Sequence, residues 1–285
     1  MSRSPTFAGF RAQAETVAAS LPVLLLAAER LAASVAPGAH GQRRAGTGED
    51  FWQYRPAQDS DPAGLIDWRR SARSDARFVR EREVQRAQAV QLWVDPAAGM
   101  NWRGADRRPT KADRARLLAL ALGLVALRGG ERVAALGQTP RPGRAQADAL
   151  AVSLMQDQAL DAGAVQPRTR LVLFSDFFDN SMGHEKFLEA VSAAGLSGVL
   201  VQITDPDEET FPYSGAIRFE ASAGASPAHL TRDAAGLRAA YLARLADHRA
   251  ALHDLAARHG WRFERHDTGA EPAPALARIM QALEG

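Results

Sequence analysis

The chain has 285 residues, 46% of them hydrophobic and 24% charged, which is globular composition with room for one large domain or two small ones. Its net charge of +2 gives no whole-molecule attraction to nucleic acid or to an acidic membrane surface. The absence of cysteine excludes disulfides, thiolate zinc sites and thiol nucleophiles, and it fits a reducing, cytoplasmic setting.

Residues 1–40 read as an N-terminal helical segment. Positions 7–35 are helical, bent near Pro22 and stopped by Pro37-Gly38. The apolar run Leu21–Ala28 is too short to span a membrane, which takes about 20 apolar residues. Acidic Glu15 and Glu29 flank it and Pro22 interrupts it, whereas a secretory signal wants basic residues upstream and a small-residue cleavage site. It reads as a helix packed on the body of the protein.

Residues 41–88 form an arginine-rich element, entered through a Gly/Arg loop at His40–Gly48. Arg55, Arg69, Arg70, Arg73, Arg77, Arg80 and Arg82 stand beside Asp59, Asp61, Asp67 and Glu81, with no lysine. Guanidinium forks match carboxylates two bonds at a time, so such a segment can tie itself down. Phe51, Trp52, Tyr54 and Trp68 supply rigid apolar area, and Pro56, Pro62 and Gly64 mark turns. The element reads as folded and irregular, ending in a β-leaning stretch at Arg77–Val84.

Residues 89–285 change character. Ala89–Val94 is an apolar strand ending at Asp95. Thr110 and Asp113 resemble a capping box at the head of a largely buried helix, 111–127, ended by Gly129-Gly130. Glu131–Leu136 is a second strand and Ala145–Met155 a second helix. Thr169–Asp176 is the strongest strand, followed by a helix at 184–194 and the strand Gly198–Asp205. Ala216–Glu220 is a short strand. Asp233 caps a long helix with Leu237, Tyr241, Leu245, Leu252 and Leu255 on one stripe. Trp261–Arg265 and Pro272–Leu283 complete the chain as a strand and a helix. Apolar strands alternating with helices predict an α/β fold with a doubly wound, mainly parallel sheet. Its strand carboxyl ends, with Asp95, Asp176 and Asp205, share one edge, where open α/β sheets bind ligands.

Most chemical motifs are missing. There is no Walker loop, no dinucleotide fingerprint and no nucleophile elbow. The seven histidines lack metal-ligand spacing, and His248, His253 and His259 read as solvated. The arginines from Arg103 to Arg144 lack interleaved aromatics and read as a solvated face, not a nucleic-acid surface. The aspartates at strand ends remain. Converging oxygens there can hold Mg²⁺, or they can cap helices and bond loop amides.

A strand–Asp at 90–95 and a strand–Ser–Asp at 169–176, in a doubly wound sheet, resemble a von Willebrand factor A-type domain. Upstream, Asp50-Phe51, Tyr54-Arg55-Pro56, Asp59-Ser60-Asp61-Pro62, Ile66-Asp67-Trp68, Ser71-Ala72-Arg73 and Val79-Arg80-Glu81 resemble the signature of the bacterial family called domain of unknown function 58. Asp205-Pro206 with Glu208 also resembles it. The A-type metal motif is Asp-x-Ser-x-Ser, with a threonine and an aspartate on later loops. Here the first loop is Asp95-Pro96-Ala97-Ala98-Gly99, so both hydroxyl positions are lost, to Ala97 and Gly99. Asp95 and Asp176 match the two aspartates, and no residue matches the threonine.

The resemblance implies a non-catalytic interaction protein working with a MoxR-type AAA+ ATPase, and with other A-domain proteins, in complex assembly, maturation or stress response. Trp52, Tyr54, Arg55, Asp59, Asp61, Asp67, Trp68, Arg69, Arg73 and Arg80 are its candidate contact residues, since arginine and aromatics dominate binding hot spots. The alternative is a divalent-metal-dependent ligand-binding A-type domain using Asp95 and Asp176. A hydrolase built on Asp176, Asp179 and His184 is a third reading, without a nucleophile–base pairing visible in the spacing.

Overall fold

Apolar runs at 89–94, 169–175 and 197–204 set the architecture, because β-branched and aromatic residues without alternation suit strands covered on both faces. The structure, a computed structural model, describes residues 7–35, 44–56, 78–84, 89–179, 183–220 and 228–284, with backbone alone for 7–18, 44–56 and 78–84. The chain divides into two compact units, residues 40–87 and residues 1–39 with 88–285.

In the smaller unit, β1 (Arg44–Pro56) pairs antiparallel with β2 (Phe78–Val84). Tyr54 stands opposite Arg80, and the register shifts on both sides of Phe51. The loop expected at His40–Gly48 is corrected here, since Arg44 to Gly48 belong to β1. Gly46 and Gly48 weaken a strand pattern, which is why the sequence hid it. Asp59, Asp61, Asp67, Trp68, Arg69 and Arg73 lie outside the described residues.

In the larger unit, β3 (Ala89–Val94), β4 (Arg132–Ala135), β5 (Thr169–Ser175) and β6 (Ser197–Thr204) run parallel. β7 (Ile217–Phe219) and β8 (His229–Thr231) make a separate antiparallel ladder. The short strand read at 216–220 is therefore not part of the main sheet. Its partner strand went unread because it is only three residues long and carries Leu230 largely exposed. β9 (Arg262–Asp267) completes a five-stranded parallel sheet in the order β4-β3-β5-β6-β9.

Alternation along the strands sorts two cores. Val90, Leu92, Val94, Val172, Phe174, Val199 and Val201 face α1 (Phe7–Ser34), α2 (Lys111–Arg128), α3 (Ala145–Leu154) and the C-terminal helix. Trp93, Leu171, Leu173 and Leu200 face the opposite side, against α4 (His184–Ala193) and the long helix before β9. In order, the remaining helices are α5 (Pro206–Thr210), α6 (Ala234–Arg258) and α7 (Pro272–Glu284). Helix α1 runs on through Pro22 and adds Ala28, Leu31 and Ala32 to the first core. Gly123 lets α2 close on α3, since a Cβ there would lie 2.4 Å from Leu150 Cδ2. No described helix is long and apolar enough to cross a membrane.

Candidate functional site

The chain leaves β3 outward to β4 and then returns to β5 on the other side of β3, so strand order reverses between β3 and β5. Open α/β sheets bind ligands at such a reversal, beyond the strand carboxyl ends. Asp95, Ser175 and Asp176 sit there, all buried. Asp95 N–H donates to Phe174 O at 2.9 Å, extending the ladder by one residue and bringing Asp95 beside Ser175.

Asp95 is held by neutral donors. Its Oδ1 accepts the Ala97 N–H at 2.8 Å, and its Oδ2 accepts the Ser175 hydroxyl. The Ser175 oxygen in turn accepts the Phe177 N–H at 2.8 Å. Burial pushes the Asp95 carboxyl above the usual aspartate range, against the pull of the Ser175 and Ala97 bonds. Phe177 adopts the left-handed region at φ 58°, a costly backbone for a bulky residue. Its buried ring fixes that turn by packing edge-on against His184 at 5.0 Å.

Asp176 is held by a cation. Its Oδ2 accepts from Lys111 Nζ at 2.7 Å, and the same ammonium donates to Glu208 Oε1 at 2.6 Å. Lys111 is the first residue of α2, behind the N-cap Thr110, whose side chain accepts the Asp113 N–H. A cation is disfavoured there by the helix dipole, and this one is only 2% exposed. Burial opposes its charge, but Asp176 and Glu208 outweigh burial and hold the ammonium above the ordinary lysine range. Burial also pushes the Glu208 carboxyl up, against Lys111. Both pKa values move up, which favours the charged lysine and the neutral Glu208: Lys111 faces two anions, whereas Glu208 is buried beside one cation and the second anion Asp176. We take the lysine as charged. The rings of Trp102 and Phe178 lie 5.8 and 5.3 Å from its Nζ, and Phe178 is 40% exposed at the surface.

Asp205, at the end of β6, knots three loops together. It caps α5 through Asp207 N–H, in a capping box completed by Glu208 Oε2 and the Asp205 N–H. It also accepts from Gly104 N–H at 3.2 Å, from Thr268 Oγ1 at 3.1 Å and from Arg108. Arg108 reaches on to Asp207 at 2.8 Å. Beyond it, Glu209 takes Thr204 Oγ1 at 2.6 Å and pairs with Arg249, which also bonds Gln202 at 3.2 Å. The rim is thus a continuous network of acids answered by protein donors.

Several expectations need correcting. Arg108 and Arg114, read as part of a solvated patch, are partly buried; Arg114 bonds the Thr268 and Ala270 carbonyls at 2.9 and 2.6 Å. His248, read as solvated, is half-buried against Phe178 at 5.3 Å. Both errors share a cause: a loop packs over the sheet edge, which one-dimensional charge patterning cannot show. His184 is buried with its Nε2 unbonded, and burial holds its pKa low. Lys111, the centre of the rim, was missed as a functional residue. Its signal was present, because this chain has two lysines among 35 basic residues and one of them opens a helix.

A family model for proteins of unknown function, DUF58, matches residues 53–251. The chain belongs to the DUF58 family. Two solved structures are similar to it. One is an aerotolerance-related membrane protein from Bacteroides fragilis carrying multiple mutations to serine, at 14% identity and TM-score 0.39, covering 68% of this chain and 98% of that one. The other is BatB, a conserved hypothetical protein from Bacteroides thetaiotaomicron, at 13% identity and TM-score 0.39, covering 68% and 96%. No curated protein matches.

Within this DUF58 chain, Trp52, Tyr54 and Arg55 lie on β1 and Arg80 on β2. Ala97 and Gly99 occupy the loop after β3 and bring only backbone to it: Ala97 N–H bonds Asp95, and Gly99 O accepts from Trp102 at 3.2 Å. The edge as arranged does not fit Mg²⁺, which wants an octahedron of oxygens. Both Asp95 oxygens are engaged by protein donors, Asp176 Oδ2 holds an ammonium, and the first loop supplies no hydroxyl. Among the described residues no group of three or more histidine, aspartate or glutamate side chains is arranged to hold a metal ion.

Proposed function

We propose that this DUF58 protein is a non-catalytic interaction protein with a fold of von Willebrand factor A type, working with a MoxR-type AAA+ ATPase in complex assembly, maturation or stress response, in the cytoplasm. The mainly parallel sheet, with its antiparallel bridge between Val133 and Arg141 at the β4 edge, supports the fold type. The observation that carries the reading is the committed state of the rim. Asp176 is tied to Lys111, Ser175 is tied to Asp95, and His184 Nε2 bonds neither of them. Nucleophilic or acid–base chemistry needs an activated side chain that a substrate can reach, and Ser175, though bonded to Asp95, is fully buried and also accepts the Phe177 N–H. What remains is a surface presenting Phe178 over a fixed network, beside the arginine and aromatic contact candidates that the sequence offers at 52–80.

The test is co-purification with a MoxR-type AAA+ ATPase from the same organism, comparing wild type with an Arg69→Ala/Arg70→Ala variant. The variant should recover markedly less ATPase. Equal recovery would remove the arginine-rich element as the contact surface, and no recovery with wild type would remove the partner.

A further inference from the structure

We propose that Lys111 is the rim's own cation: its ammonium takes the place a divalent ion would fill between Asp176 and its neighbours, and a metal site lies latent beneath it. Asp176 is one of two aspartates at the strand switch point, and its Oδ2 is bound by Nζ at 2.7 Å. The ammonium then bridges to Glu208, an acid from a different loop, at 2.6 Å. A single positive centre that joins carboxylates from separate loops does the geometric work of a bound metal. It does so without a hydration shell, since the side chain is 2% exposed and roofed by Trp102 and Phe178.

Residue choice supports the assignment. A compact ammonium is the side chain that imitates a point charge, whereas a guanidinium is a flat fork. In a chain with 35 basic residues and two lysines, this position carries one of the two. It also carries it at a helix start, where acidic residues are favoured and a cation is not. Local propensity therefore argues against lysine here, and the two carboxylates argue for it. The remaining polar atoms are satisfied on the same plan. Asp176 Oδ1 takes the Phe178 N–H at 3.0 Å, and Glu208 Oε2 takes the Asp205 N–H at 2.9 Å. Removing the amine would leave two inward carboxylate oxygens facing one emptied space, and hard divalent ions accept such oxygens with water completing the shell. The inference concerns the rim alone and is independent of which partner the protein has.

The two lysines allow a direct experiment. Wild-type protein labelled with ¹⁵N at lysine Nζ should show a persistent, exchange-protected ammonium signal from Lys111, with exposed Lys186 as internal control. Adding Mn²⁺ to about 1 mM, the weak end of biological oxygen-ligand sites, should leave the Lys111 signal intact. Selective broadening of that signal, abolished by Asp176→Asn, would overturn the proposal. In a second arm, Lys111→Ala should acquire a thermal stabilisation by Mn²⁺ or Ca²⁺ that wild type lacks and that Lys111→Ala/Glu208→Gln loses. A folded Lys111→Ala protein indifferent to both ions would overturn the latent site. A Lys111→Ala protein that folds neither with nor without metal would likewise overturn the latent site, since no ion then stands in for the amine, and the wild-type resonance still tests the ammonium.

Discussion

The two ends of the parallel sheet bury acids in opposite ways. At the carboxyl edge, Asp176 and Glu208 share Lys111, Asp205 takes Arg108 and Glu209 takes Arg249. At the amino end, Glu131 sits just before β4, 8% exposed, and burial together with Glu284 pushes its pKa from 4.5 to about 7. Asp95 lies between these cases, buried at the carboxyl edge but answered by a hydroxyl and an amide instead of a cation. Burial is common to these acids, and what differs is the donor opposite each; among the described residues the cations gather where the loops meet.

The sharpest way to break that contrast is Lys111→Ala. It leaves buried Asp176 and partly buried Glu208 without their cation and should cost about 3–5 kcal/mol, read by denaturant unfolding. A loss below about 1 kcal/mol, the range of surface pairs, would show that the bridge is not buried in solution. Glu131→Gln probes the other end. A folded pKa above the unfolded one means that the Glu131 contribution is present below pH 4.5 and is lost as pH rises through about 7. The variant should therefore match wild type near pH 4 and exceed it by up to about 3 kcal/mol at pH 8. Equal stability at both pH values would place Glu131 in water. Gly104→Ala tests how tightly the Asp205 knot is drawn, since a Cβ would lie 2.2 Å from Asp207 Oδ2 and 2.8 Å from Asp205 Oδ1. It should cost about 1–3 kcal/mol as overpacking, whereas a loose loop would absorb it without loss. Ser175→Ala should have the smallest effect, about 1–2 kcal/mol, from withdrawing one donor from a buried carboxylate. That loss should grow as pH rises and Asp95 must carry its charge. A pH-independent loss would mean that Asp95 stays protonated throughout.

Much of the fold is legible in the residues. The buried runs at 89–94, 169–175 and 197–204 carry their own evidence, because a strand covered on both faces has no polar alternation to confuse it. The caps at Thr110 and Asp233 are equally plain, and both side chains accept the expected amide, Asp113 N–H at 3.0 Å and Gly236 N–H at 3.1 Å. Elements with weak local signals were not legible. β1 is interrupted by glycine, and β8 is three residues with an exposed leucine. Of the rim, Asp95, Asp176 and Asp205 follow from strand ends. Lys111 does not, since its role depends on Asp176 and Glu208, 65 and 97 positions away along the chain.

By itself the sequence determined the parallel α/β sheet, the edge where its aspartates gather, and the loss of hydroxyls at Ala97 and Gly99. These follow from periodicity and side-chain chemistry, which are local. Only the tertiary structure decided which donor each acid meets: Asp95 the Ser175 hydroxyl, Asp176 and Glu208 the Lys111 ammonium, Asp205 the Arg108 guanidinium. Electrostatic pairing acts through space and at short range, so it appears only once the loops from distant parts of the chain have been folded onto one edge.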